Sequence, residues 1–222
     1  MMGDRYSLAC AKKTIQTAEQ MSEDLDIEMF RAVTPDNIKD TTYSYPVEGE
    51  TSTYEGMTLV GYKAKDIRKK IACSLSHMNL WNKCVQLNEP IMILEHDAVF
   101  ICKFSTSRIL KSIDDGDVLM INNPIGATRR GMVYHENIIK NDFGVHLVEG
   151  VNTPDENVPD GLAGNSAYVI TPAAAKKAYK LQRKIGIWPN DALLCKQLFP
   201  GKLKSHYPYI TKVEQRRSTT TS

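Results

Sequence analysis

Residues 91–100 read IMILEHDAVF. Four apolar side chains run without a break into Glu95, His96 and Asp97, and apolar residues then resume. Pro90 bounds the run on its other side. An unbroken apolar run of this length, closed by charge, reads as a strand buried on both faces, the pattern of a parallel sheet. Its polar end then emerges at the carboxyl edge of the sheet, where open α/β sheets bind ligands. Polar side chains set against a greasy strand cost free energy unless they meet a partner. A divalent cation is one such partner, and a cation there can hold phosphates. The plainer reading is an acidic turn that caps the segment after it.

Upstream, residues 63–87 carry the strongest helical period of the chain. Ile67, Ile71, Leu75, Met78, Asn82 and Val85 trace one stripe, which Leu80 and Trp81 widen. Lys63, Lys65, Arg68, Lys69 and Lys70 lie on the other face. Residues 27–33, IEMFRAV, read as a strand closed by Pro35. Strand, helix and strand together predict a βαβ unit with a right-handed crossover. Residues 9–25 have helical spacing at Ala11, Ile15, Ala18 and Leu25. Residues 34–60 are polar, rich in Thr, Tyr, Ser and Glu, and read as a long loop. Such a loop is either functional, its tyrosines stacking on a sugar or base, or an ordinary surface excursion.

Downstream, 104–113 reads as a short helix and 114–116 as a turn. Residues 117–122, DVLMIN, read as a second buried strand. Arg129 and Arg130 stand in a basic loop. MVYH (132–135) and GVHLVE (144–149) read as the strands of a hairpin, 150–161 as a loop, and GNSAYVIT (164–171) as a strand. Pro172 opens an Ala- and Lys-rich helix that Gly186 stops. Residues 189–199 read as a further helix, opened by Asn190 and Asp191, and 207–213 as a last strand. The alternation predicts a single α/β domain over 1–213, a mostly parallel twisted sheet flanked by helices, with a loose polar tail at 214–222.

The 222 residues suffice for one sizeable core. A hydrophobic fraction of 42% and a charged fraction of 24% argue against global disorder. A net charge of +2 does not by itself demand a nucleic-acid partner, nor exclude one. The five cysteines, at 10, 73, 84, 102 and 195, are odd in number and form no CxxC pair. Cys73, Cys84 and Cys195 fall inside apolar helical patterns and read as reduced core thiols, not as a zinc site. There is no apolar leader near the start and no run of about 18 apolar residues. The sequence therefore predicts a soluble, cytoplasmic protein with at most peripheral membrane contact.

Several stretches, in order, resemble glycosyltransferase family 25, the lipooligosaccharide type. ACSLSHMNLW (72–81) followed by IMILEHDAVF is similar to the family's Cys-x-x-Ser-His helix and the acidic strand end after it. GNSAYVITPAAAKKAY resembles its Gly-x-x-x-Tyr strand and Ala-rich helix, WPNDALL its late Pro-x-Asp segment, and YPYITKVEQRRST its closing stretch. FRAVTP is similar to its early strand. The chain departs from the pattern at His96, where the family has an acid, and at Lys69 and Lys70, where a Glu is common. The family's first strand is truncated or altered around Tyr6–Ala9.

The resemblance implies a GT-A-like nucleotide-sugar-binding fold, a uridine diphosphate sugar as donor, and inverting displacement by an acceptor hydroxyl. It implies a divalent ion, manganese or else magnesium, on Asp97 with Glu95 or His96. Strand alternation sets Glu95 and Asp97 on one side and His96 on the other if the segment stays extended. Asp97 and Asp191 are the candidate catalytic acids, Asp191 as the base, with Asp160 a second choice. The alternative for Asp191 is a helix cap, a place Asn190 can also take. Ser76, His77, Glu95, Arg129 and Arg130 are candidates for holding the donor, and Lys212 for meeting an anion. The implied acceptor is either a lipooligosaccharide sugar, the family's common one, or a hydroxymethylated cytosine in DNA, because the chain is also similar in size to phage-encoded members. Basic patches at 63–70, 129–130, 176–184 and 202–217 suit either polyanion. The rivals are an inactive relative and a nucleic-acid-binding module.

Overall fold

The computed structural model describes residues 5–38, 51–61, 65–126, 131–148, 159, 161 and 165–214. The chain begins with helix α1 (Arg5–Met21) and a 3-10 turn (Pro35–Asn37). A hairpin of β1 (Thr51–Tyr54) and β2 (Met57–Val60) precedes the long helix α2 (Ile67–Leu87). Then come β3 (Ile91–Leu94), β4 (Ala98–Phe100), α3 (Thr106–Lys111), β5 (Val118–Met120), α4 (Gly131–Ile138) and β6 (Gly144–Leu147). β7 (Ala167–Ile170), α5 (Pro172–Ile185), the short α6 (Asn190–Leu193), β8 (Leu203–Tyr207) and β9 (Thr211–Val213) complete it. No helix among the described residues is long and apolar enough to cross a membrane.

Five strands form the central sheet in the order β3-β7-β5-β8-β6. Among the described strands β5 and β8 run parallel, while β3–β7, β7–β5 and β8–β6 are antiparallel. The expected mostly parallel sheet is therefore corrected to a mostly antiparallel one. The reason is that both faces are covered. Ile93, Met120, Tyr168 and Ile170 point into a core with Met78 and Trp81 of α2 and Ala174 and Ala178 of α5. Met92, Leu94, Leu119 and Val169 point the other way, against Ala18 of α1, Phe100 of β4 and Ile109 of α3. Burial on both faces produces an unbroken apolar run whichever way the neighbour points.

Further expectations fail. Residues 27–33 form no strand, and Met29 and Phe30 are exposed. The segment is tied to α2 instead. The Val33 N–H donates to Ser76 Oγ at 2.9 Å, and Lys83 pairs with Glu28 at 2.5 Å. The βαβ unit expected from 27–33, α2 and β3 does not form. Residues 132–135 lie in helix α4, with Tyr134 and Ile138, one turn apart, both buried. Gly131 starts it because a Cβ there would sit 2.1 Å from the Pro124 carbonyl. β6 accordingly pairs with β8 rather than with a hairpin partner. The helix expected over 189–199 is only one turn long, and the expected loop over 34–60 contains the β1–β2 hairpin. Its two turn residues, Glu55 and Gly56, both have positive φ, the twist that suits a two-residue connection.

Helix ends are settled locally. Asp66 caps α2 by accepting from the Arg68 N–H at 3.0 Å. Asn88 closes it in the left-handed region, donating to the Cys84 and Val85 carbonyls. α3 is capped from outside, by Asp24, which accepts from the Thr106 and Ser107 N–H groups. With the Ser22 hydroxyl as the largest contributor, these bonds hold the Asp24 carboxyl down at about 2.

Asp117, at the entry to β5, is only 1% exposed and pairs with Lys204 at 2.5 Å and Lys202 at 3.4 Å. Burial pushes its carboxyl up, but the Lys204 bond, the Asp114 N–H and the lysine charges outweigh it and hold the pKa below the ordinary value. The pair's stabilisation is therefore present above the unfolded pKa of about 4 and lost as pH falls through the lower folded value. Lys204→Met should cost about 3 kcal/mol, because it strands a buried carboxylate. Urea unfolding across the acid range checks both points: Asp117→Asn should flatten the acid dependence that the native chain shows.

Candidate functional site

The site is built where β3 ends. Beyond Leu94 the Glu95 N–H still donates to the Ser166 carbonyl at 2.7 Å, one rung past the β3–β7 ladder. The chain then turns, and the Ala98 N–H closes back on the Glu95 carbonyl at 3.2 Å. Residues 95–97 are thus a turn, and the strand alternation expected to separate His96 from the two acids does not apply. The turn is buttressed from both sides. Thr14 Oγ1 of α1 donates to the His96 carbonyl at 2.9 Å, and the Glu214 N–H donates to the Asp97 carbonyl at 3.0 Å.

Asp97 is 7% exposed, and its buried Oδ1 has no hydrogen-bond partner. Burial raises its pKa, the Glu95 charge raises it further, and His96 pulls the other way. Glu95 is more open, with 39% of its side chain exposed. Burial of its carboxyl works upward, but the neighbouring His77 outweighs it and lowers the pKa.

His77 comes from α2 and is 4% exposed. Its Nδ1 lies 2.7 Å from the Tyr168 hydroxyl, to which the Trp81 indole N–H also donates at 2.9 Å. The His77 and Tyr168 rings stack, 5.8 Å between centroids. Nε2 faces Glu95 Oε1 at 3.6 Å and Asn190 Nδ2 at 3.4 Å. Burial opposes a charge on the ring, yet Tyr168, Cys73 and Glu95 outweigh it and hold the pKa well above the ordinary value. Cys73, one turn before His77, completes a triangle. Its Sγ, a His77 ring nitrogen and a Glu95 oxygen all lie within 4.8 Å of one another.

The third acid arrives on α6. Gln182 of α5 grips the backbone of Trp188, accepting from its N–H and donating to its carbonyl, and Ser74 adds a weaker bond. That grip delivers Asn190 and Asp191 to the site. Asn165 donates to the Asn190 carbonyl at 3.0 Å, and its own buried Oδ1 has no partner. The residue in the cap position is Pro189, with no side-chain cap bond, and Asp191 stands inside the first turn. Burial raises the Asp191 pKa and the Glu95 charge adds to it, against the Ala192 N–H and the Lys70 charge.

Glu95, Asp97 and Asp191 therefore share one field, and His77 and His96 adjoin it. Ser76 donates to the Ala72 carbonyl and accepts from Val33. Lys212 is exposed on β9. Arg129, Arg130 and Asp160 lie outside the described residues. Sequence reasoning passed over Tyr168, Trp81, Asn165, Cys73 and Lys70 as site residues. The available signal was chemical: a Tyr and a Trp that are both buried each need a hydrogen-bond partner. Chemically, the carboxylates can take a proton or hold a cation, and the unpartnered Asp97 oxygen suits either. Gly161 passes so close beneath α6 that a Cβ would sit 2.5 Å from the Asp191 carbonyl. Gly161→Ala should thus displace Asp191 and destabilise the fold by about 2 kcal/mol, which thermal unfolding of the variant will measure.

The sequence model of glycosyltransferase family 25, described as an LPS biosynthesis protein, matches residues 7–194. That span takes in α1, the acidic turn and α6, and stops before β8 and β9. No curated protein sequence matches the chain. The match covers most of the 222 residues and includes every acid of the site. With its helix-borne His77, its turn of Glu95, His96 and Asp97 and its late Asp191, the chain belongs to glycosyltransferase family 25.

Proposed function

We propose that the protein is an inverting glycosyltransferase that moves a sugar from a uridine diphosphate sugar to an acceptor hydroxyl. The observation that carries this reading is the approach of Asp191 on α6 to the acidic turn of Glu95 and Asp97 in a chain of this family. The acceptor oxygen bonds to the anomeric carbon as the bond to the diphosphate oxygen breaks. Asp191 takes the hydroxyl proton, and its raised proton affinity suits that task. Asp97 and Glu95, with His96 adjoining, suit a manganese or magnesium ion, since carboxylate oxygens match a hard cation and Asp97 Oδ1 has no other partner. Such an ion supplies charge stabilisation for the departing diphosphate. A GT-A-like seat for the donor at this sheet edge fits the same reading.

The acceptor we favour is a lipooligosaccharide sugar, in keeping with the family's description. An anionic acceptor also suits a groove of about 390 Å³ along α5, lined by Lys176, Lys177, Lys180, Lys184 and Tyr54. The groove includes none of the three carboxylates, so it would hold the acceptor's phosphates and not its reacting hydroxyl. A hydroxymethylated cytosine in DNA is the other polyanion with a suitable hydroxyl, and it would have to leave the base stack to react.

The test is donor hydrolysis and transfer across a panel of uridine diphosphate sugars, with and without manganese, followed by lipooligosaccharide and DNA as acceptors. Asp97→Ala should abolish transfer with the circular dichroism and melting curve unchanged; retained transfer removes Asp97 from the reaction. Asp191→Asn should lower kcat by about 10²–10⁴-fold while donor binding changes little. Loss of stability with normal specific activity would make Asp191 a structural acid instead.

A further inference from the structure

The edge of the sheet that bears the acidic turn also bears a cluster of aromatic rings. β5 and β8 run parallel, and β3 runs with them, since β3 and β5 are both antiparallel to β7. At one edge, therefore, β3 passes into Glu95 and β8 ends at Tyr207. β6 begins at that edge, with Gly144 opposite Tyr207, so Phe143 stands just beyond it. The Phe143 and Tyr207 rings lie 5.7 Å apart at 53°, and Tyr207 meets Tyr209 edge-on at 5.5 Å. Buried Tyr209 anchors the set, its hydroxyl 3.0 Å from His135 Nδ1. Tyr207 is half-buried, and Phe143, at the outer end, is 79% exposed, more than any other large apolar side chain among the described residues.

An exposed apolar surface that its neighbours hold in place marks a binding face. A ring fixed on one side and open on the other matches the C–H face of a pyranose, whose rim of hydroxyls needs neutral hydrogen-bond partners. The polar groups among these rings are hydroxyls and an imidazole. A nucleic-acid strand stacked on rings needs cations along its phosphates, and the lysines that stand over rings among the described residues are Lys177 and Lys184, on α5. The chain itself joins the rings to the acids. From Tyr207 it runs through Ile210, whose N–H donates to the Ile121 carbonyl at 2.9 Å, to Glu214, whose N–H holds the Asp97 carbonyl. The order β3-β7-β5-β8 puts three strand steps between the two places, about 14 Å at the usual strand spacing. A chain of a few sugars spans that distance and a single sugar does not.

We propose that Phe143 and Tyr207 form a platform for the acceptor, stacking a sugar of its chain a few units from the one that reacts. The acceptor role rests on the glycosyl-transfer reading; saccharide binding at these rings does not. Binding energy gathered there, away from the reacting hydroxyl, serves to place that hydroxyl.

The first test is donor-free: lipid-free core oligosaccharide titrated into the full chain and followed by saturation-transfer NMR. The native protein should bind it with the ring C–H protons of the sugar receiving the transfer. Phe143→Ala, with its melting curve unchanged, should weaken binding by about tenfold, the scale of an aromatic anchor, and Phe143→Trp, which keeps a ring face, should bind as the native chain does. No binding by the native protein, or equal binding by Phe143→Ala, overturns the proposal. So does binding of a single-stranded oligonucleotide, or of anionic phospholipid vesicles, that Phe143→Ala abolishes, since the face then serves bases or a membrane. In transfer assays the preference in kcat/KM for the oligosaccharide over a single-sugar acceptor should shrink about tenfold in Phe143→Ala, through KM; an unchanged preference removes the acceptor role. Hydrolysis of the donor tests the transferase reading separately, so its failure leaves the binding result to stand or fall alone.

Discussion

The register of the β3–β7 ladder governs this molecule. Ile93 lies opposite Tyr168 and Leu94 opposite Ala167. Residues directly across an antiparallel pair share a face, so Tyr168 turns with Ile93 toward α2 and meets Trp81 and His77. A slip of one residue would turn Tyr168 to the α1 side and leave two buried polar groups of α2 without their partner. The same pairing brings the end of β3 to the beginning of β7. Glu95 therefore sits against Ser166, beside the asparagine that holds α6. The acidic turn and the distant Asp191 meet because one ladder ends where it does.

Much of the local structure was legible in the sequence. The α2 stripe, the apolar core of β3, the Pro172 start of α5 and its Gly186 stop are all written in residues a few positions apart. Pairing was not. IMIL and AYVI are apolar because both faces of the sheet are covered, and that burial carries no information about strand direction. IEMFRAV has strand-forming residues but joins no sheet; α2 holds it by Ser76 and Lys83. MVYH fits both periods over four residues, and only the burial of Ile138 one turn after Tyr134 marks it as helix.

The site divides the same way. His77 and Asp191 were reached through the family resemblance, while the acids of the 95–97 turn stood out as polar residues at the end of an apolar run, a local signal. The partners that set their chemistry did not, because Tyr168 lies 91 residues from His77 and Asn165 lies 25 from Asn190. The remaining imbalance is informative. Buried Asp97 Oδ1 and Asn165 Oδ1 are without protein partners, a cost that folding alone does not reward. Both belong to segments that border Glu95.

The acidic turn is held by segments made at very different times. Thr14 reaches the His96 carbonyl from α1, while the Asp97 carbonyl takes its hydrogen bond from Glu214, which also pairs with Lys13. β9, just before Glu214, lines up antiparallel with β4, just after the turn. A chain emerging from the ribosome can shape α2 early, because the contacts within a helix and its cap are local. It cannot clasp the turn until some 115 residues later, when β9 and Glu214 appear. The segment that carries the most chemistry is thus among the last to settle, and a nascent chain short of that point presents its carboxylates unframed.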